Sequence, residues 1–185
     1  MCIRDSPTPR SPNQMIDYLR HGDDIYRKSF SIIRAEANLE GLPADLAHVA
    51  VRLIHSCGMT DIVQDLQASG DAVARGRKAL IQGVPILCDS LMVAKGITQK
   101  RLSADNEIIC TLNHPDVPEI AQKIDNTRSA AALELWRPYI EDALVVIGNA
   151  PTALFRLLEL LDEGIPKPAL ILGFPVGFVG AAESK

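Results

Sequence analysis

His55 stands in the run AVRLIHSCGM, residues 50–59, where an imidazole interrupts an apolar helical stretch and the thiol of Cys57 follows two residues later. An imidazole, with an unperturbed pKa of about 6.5, is suited to giving a proton near neutrality. At about 100° per residue, Leu46, Val49, Ala50, Leu53, Ile54 and Cys57 fall on one arc of a helix. His55 falls opposite the centre of that arc, beside His48 and Arg52. Two readings follow. Either this polar face is merely solvated, or the apolar arc anchors the helix so that His55 projects toward a ligand. The small residues of HSCG leave space around the ring. The spacing argues against two sharper alternatives. His48 and His55 lie two helical turns apart, with no HExxH motif or cysteine pair to complete a metal site. Residues two apart on a helix point away from each other, so Cys57 and His55 make a poor nucleophile–base pair.

The bulk composition narrows the classes. A chain of 185 residues suggests one domain able to bury a core. A net charge of -4 argues against a nucleic-acid partner, and an aromatic content of 4% argues against base-stacking platforms. Cys2, Cys57, Cys88 and Cys110 are scattered without a CxxC pair and read as buried free thiols in a reducing compartment. No apolar run approaches the roughly 18 residues of a membrane span, and MCIRDSPTPRSP lacks the apolar centre of a signal peptide. A cytoplasmic protein with no membrane partner is expected, with residues 1–12 as a disordered tail without function.

The elements that must position His55 alternate. Residues 22–39 read as a helix with Ile25, Ile32, Ile33 and Ala35 near one face, and Pro43 opens a second helix that ends near Gly58. A third covers 71–83. Then come an apolar run at 84–88, a helical stretch at 89–96 and a second apolar run at 107–112. A helix over 126–140 follows, capped by Asn126 or Thr127, then a strand at 143–148, a helix at 151–164 and a strand at 169–173. Strands that are apolar throughout imply burial on both faces. Repeated strand–helix–strand order then implies an α/β fold, a mostly parallel sheet between two helical layers. Ligands in such sheets sit outside the carboxyl ends of the strands, which points to the loops at 88–90, 111–115, 148–152 and 173–180. GNAPT, 148–152, feeds a helix start, where free amides favour an anion.

Seven blocks then carry a resemblance. IYRKSFSIIRAEA, VAVRLIHSCGM, GVPILCDSLMVAKGIT, NEIICTL, NTRSAAALELW, VVIGNAPTALFRLLELL and GFPVGFVGAAESK occur in the order and spacing of the precorrin-8X methylmutase (precorrin isomerase) family. The resemblance covers nearly everything from Ile16 onward and implies a single domain over 13–185. It implies an isomerase that moves a methyl group from C-11 to C-12 of precorrin-8X, giving hydrogenobyrinate, or does the same on cobalt-precorrin-8. No redox cofactor, nucleotide or catalytic metal is implied. His55 matches the family's catalytic acid. Ser29 and Arg34 match positions facing the macrocycle, and Arg128, just after the cap of its helix, is expected to meet a substrate carboxylate. Thr98 is expected to hydrogen-bond a substrate side chain, each of these residues having the alternative of an ordinary surface role. Asn149 and Thr152 are expected to form a turn and cap a helix, and Asp89 to cap the helix that follows it. The resemblance further implies a homodimer with a cleft shared between subunits. Family members continue past GAAESK with another strand and helix, so a truncated chain with an exposed sheet edge is expected.

Two other functions compete. GNAPT and GFPVGFVG after strands suggest a Rossmann-like nucleotide-binding oxidoreductase, although neither is GxGxxG and no acidic residue follows at the usual spacing. A non-catalytic tetrapyrrole-binding protein is the other.

Overall fold

The computed structural model describes residues 17–185, which cluster into two compact units, 17–67 and 68–185. The tail expected over 1–12, with Cys2, lies outside the described residues.

In the first unit, α1 (Gly22–Glu36) has Asp23 and Asp24 in its first turn and Arg34 in its last, which suits the helix dipole. α2 (Ala44–Cys57) starts directly after Pro43 and ends at Gly58, whose φ of 72° turns its amide back onto the Ile54 carbonyl at 2.7 Å. A short 3-10 helix, Thr60–Asp65, follows. Phe30, Ile33 and Ala37 pack with Val51, Ile54, Ile62 and Val63. The stripe that α1 buries is thus not the expected one: Ile25 and Ile32 are exposed, as is Ala35, because i, i+3, i+4 spacing runs through Phe30 and Ile33 instead. α2 is likewise rotated. It buries Ala50, Val51 and Ile54, while Val49 and Cys57 are exposed. The buried arc is turned by about 80° toward Val51 relative to the sequence pattern, because α1 packs on that side. His55 therefore lies at the rim of the α1 contact rather than opposite the core.

In the second unit, four parallel strands are ordered β2-β1-β3-β4. They are β1 (Ile86–Cys88), β2 (Ile108–Ile109), β3 (Leu144–Ile147) and β4 (Leu170–Gly173). Alternate side chains leave opposite faces. Leu87, Val145 and Ile147 meet Trp136, Ile140 and α7 (Pro151–Asp162) through Ala153, Leu154, Leu157 and Leu160. Ile86, Cys88 and Leu144 meet α3 (Ala72–Ile81) and α4 (Leu91–Gly96) through Ala79, Leu80, Val93 and Ala94. This is the expected α/β architecture, with helices on both faces of a parallel sheet.

Two local elements differ from expectation. The helix expected over 126–140 is only α6 (Arg128–Ala132), continued by a 3-10 turn, Leu133–Trp136. Pro138 has no amide to continue an α-helix, and the three-residue step brings both Leu133 and Trp136 into the core. α5 (Val117–Lys123) is not among the expected elements, although Pro118 in its first turn is an ordinary helix-start signal.

Where α7 ends, Arg156 bonds Glu134, Glu159 and Glu163, and Arg137 bonds Glu134 and Glu163. The Arg137 guanidinium first, and Arg156 after it, hold the Glu163 carboxyl below its usual 4.5. A depressed carboxylate contributes stability above its unfolded pKa and loses it as pH falls through the folded value. Thermal stability should therefore decline as pH drops below about 4.5, with Glu163→Gln flattening part of that decline in melting curves. The pair is exposed, so the effect is small.

Candidate active site

The last turn of α2 turns His55 toward α1. Its Nδ1 lies 2.7 Å from Ser29 Oγ. The Tyr26 ring lies against it with centroids 5.0 Å apart and planes tilted by 37°. Phe30 meets it edge-on at 5.2 Å and 82°. Tyr26, Ser29 and Phe30 are i, i+3 and i+4, one stripe of α1. The imidazole is half-buried among aromatic and polar groups, not aliphatic ones, and it is not on the outer side of its helix with open space around it, as the pattern suggested. Nε2 has no hydrogen-bond partner among the described residues. Arg34 is exposed, about 140° round α1 from Ser29, and makes no ion pair with any described residue. His48 is exposed. Cys57 is exposed as well, against the expectation of a buried thiol, and its sulfur approaches only the carbonyls of Ile54 and Met59.

Thr98 and Arg128 belong to the second unit. There the chain reverses direction of travel between β1 and β3, the point where open sheets take their ligands. That crevice is already filled. Asp89, 2% exposed at the end of β1, accepts from the amides of Gly148 at 3.0 Å, Asn149 at 3.0 Å and Ala150 at 2.8 Å. The amides that the sequence offered to an external anion hold an internal carboxylate. Asp89 is therefore not the cap of the next helix; Ser90 is, through the amide of Val93. Nor does Thr152 cap α7. It accepts from Thr127, which itself caps α6. Asn149 lies in the turn, and its carbonyl accepts from Val176.

Arg128 is exposed and reaches back to the Leu112 carbonyl at 3.4 Å and Asn113 Oδ1 at 3.5 Å, long contacts to neutral oxygens. No carboxylate among the described residues neutralises it. Thr98 is exposed; its carbonyl accepts from Arg101, and its hydroxyl has no partner among the described residues. In the glycine-rich loop, Phe174 and Val176 donate to Ile147 and Asn149, while Val176, Phe178 and Val179 expose their side chains.

Sequence reasoning missed Tyr26, Phe30 and Asn113. The aromatic i, i+4 pair flanking Ser29 was the available signal for the first two. Cys88 is buried and its thiol is pushed up to about 12, chiefly by burial, then by Cys110 and Asp89; burial also raises Cys110. Neither thiol is a nucleophile near neutrality. Among the described residues no group of three or more His, Cys, Asp and Glu could hold a metal ion, and no helix is long and apolar enough to cross a membrane.

Known proteins share this fold and much of this sequence. The family model "Precorrin-8X methylmutase" matches residues 24–185. A precorrin-8X methylmutase of Pseudomonas aeruginosa is 66% identical, over 92% of this chain and 82% of the relative. A cobalt-precorrin-8 methylmutase of Methanocaldococcus jannaschii is 40% identical, over 72% and 61%. The crystal structure of a precorrin-8X methyl mutase from Thermus thermophilus superposes with a TM-score of 0.78 at 36% identity, covering 88% of this chain and 79% of that one. With a family model spanning almost every described residue and a relative two-thirds identical, the chain belongs to the precorrin-8X methylmutase family.

Proposed function

We propose that this protein moves a methyl group from C-11 to C-12 of precorrin-8X or cobalt-precorrin-8, with His55 as the proton donor. The observation that carries this reading is the state of the imidazole. Ser29 engages Nδ1 at 2.7 Å and leaves Nε2 unpartnered among the described residues. In the imidazolium form both ring nitrogens carry hydrogen: Nδ1–H then donates to Ser29 Oγ, and the proton on Nε2 is the one available for transfer. Given to a ring nitrogen, it withdraws electrons from the conjugated system and loosens the methyl at C-11. After migration to C-12 the proton returns to Nε2, so the isomerisation consumes nothing. A single such transfer is worth about 10²–10⁴-fold, and the remainder comes from holding the ring in one reactive shape.

A polycarboxylate substrate facing a protein of net charge -4 needs local cations. Arg128 and Arg34, which no described carboxylate neutralises, suit that task, and the Thr98 hydroxyl suits a substrate amide or acid. No cofactor enters the scheme. We read the assembly as a homodimer working in the cytoplasm; the apolar side chains of Phe178 and Val179, 108% and 87% exposed, suit a covered surface.

The test is conversion itself, followed by visible absorbance on mixing with precorrin-8X. Appearance of hydrogenobyrinate supports the proposal. Tight NADH binding without any corrinoid binding would instead favour the oxidoreductase reading, which the Asp89-filled crevice speaks against. A narrower prediction concerns Ser29, expected from the resemblance to face the macrocycle. Ser29→Ala should lower kcat about tenfold with KM little changed, because it frees the donor ring to misalign. A raised KM with unchanged kcat would return Ser29 to the substrate.

A further inference from the structure

We propose that Tyr26 is a positioning residue for the proton transfer, forming with Phe30 an aromatic clasp that fixes the plane of the His55 ring. The inference rests on the proton-donor reading of His55. One hydrogen bond at Nδ1 leaves an imidazole free to swing, since χ2 of histidine is a broad torsion. The two rings remove that freedom. Tyr26 lies against one face at 5.0 Å with a tilt of 37°, and Phe30 presents a near-perpendicular contact at 5.2 Å and 82°. The two aromatic rings also touch each other, with centroids 5.8 Å apart. All three constraints come from residues 26, 29 and 30 of one helix, so they move together and define the direction of Nε2.

Core packing explains Phe30, which joins the cluster of Ile33, Val51 and Ile54. It does not explain Tyr26. That side chain is 42% exposed and stands outside that cluster, so its principal service is to the imidazole and to Phe30. Tyr26 is therefore the residue to change, since its loss disturbs the clasp without opening the core.

Three measurements on the protein test the clasp. Tyr26→Leu is expected to lower kcat about tenfold with KM within about twofold, and Tyr26→Phe, which keeps the ring, to stay within about twofold of the parent. In a His55→Ala background, Tyr26→Leu should cost less than about twofold more, because a residue that acts through the imidazole has nothing left to act on. In the ligand-free protein, 13C relaxation of the His55 ring should report larger motion in Tyr26→Leu and no change in Tyr26→Phe. Equal losses in both backgrounds, a KM effect alone, or an unchanged kcat would each overturn the proposal. A variant of lowered stability is assayed below its melting temperature, where the ratio between backgrounds still separates the outcomes. If His55→Ala itself turns over normally, the proton-donor reading fails, and ring relaxation alone then decides whether the clasp exists.

Discussion

His55→Ala is expected to lower kcat by about 10²–10⁴-fold while changing substrate affinity by less than about tenfold. The separation follows from where the imidazole acts. A proton shared with the macrocycle only as the methyl moves stabilises the transition state and contributes little to the ground-state complex, so kcat and kcat/KM fall together. Loss of folding does not supply the same result. The ring is half-buried, its one hydrogen-bond partner among the described residues is a serine that water can replace, and such a site costs about 1 kcal/mol when truncated. Single-turnover absorbance with a parallel binding titration measures both quantities. Turnover equal to the parent removes the acid role. Binding and turnover lost together reduce His55 to a ring contact, the non-catalytic reading.

The largest effect on stability is expected at Asp89. Asp89→Ala removes the acceptor of three backbone amides at 2.8–3.0 Å and leaves them unpaired at the centre of the sheet's carboxyl edge. A buried charged acceptor of this kind is worth about 3–5 kcal/mol when its partners are stranded, which in a chain of this size lowers the melting temperature by about 10 °C. Relief by local movement is limited, because Val93 Cγ2 stands 2.7 Å from where a side chain at Gly148 would begin. Asp89→Asn keeps one acceptor oxygen but sets an amide group against a backbone amide, so it should recover only part of the loss. A melting temperature within about 2 °C of the parent would show that the loop finds other acceptors.

The sheet and its covering helices were legible because apolar runs such as Ile86–Cys88 and Leu144–Ile147 carry their burial in their composition. Gly58 and Gly83 stop their helices where the pattern says, each at positive φ. What the chain conceals is which side of a helix a neighbour covers. Val49 and Val51 are chemically identical; only the approach of α1 makes Val51 the buried one and turns His55 to face Tyr26 and Ser29. The same holds for Asp89. A carboxylate between a strand and a helix looks like a cap, and its true partners, 59 to 61 positions away, follow from the order of strands and not from neighbours in the chain. Among the candidate binders, Arg128 and Thr98 were named from the resemblance; both lie exposed at helix starts, Arg128 opening α6 and Thr98 just before a 3-10 turn, and such a placement gives no signal in composition.

Crystals of the protein with bound precorrin-8X, or with the product, offer the sharpest view of the proposed transfer. His55 Nε2 is expected at about 2.6–3.2 Å from a ring nitrogen beside the migrating methyl, with Nδ1 still on Ser29. A macrocycle bound with Nε2 turned away from every ring nitrogen, beyond the reach even of one bridging water, would rule that transfer out.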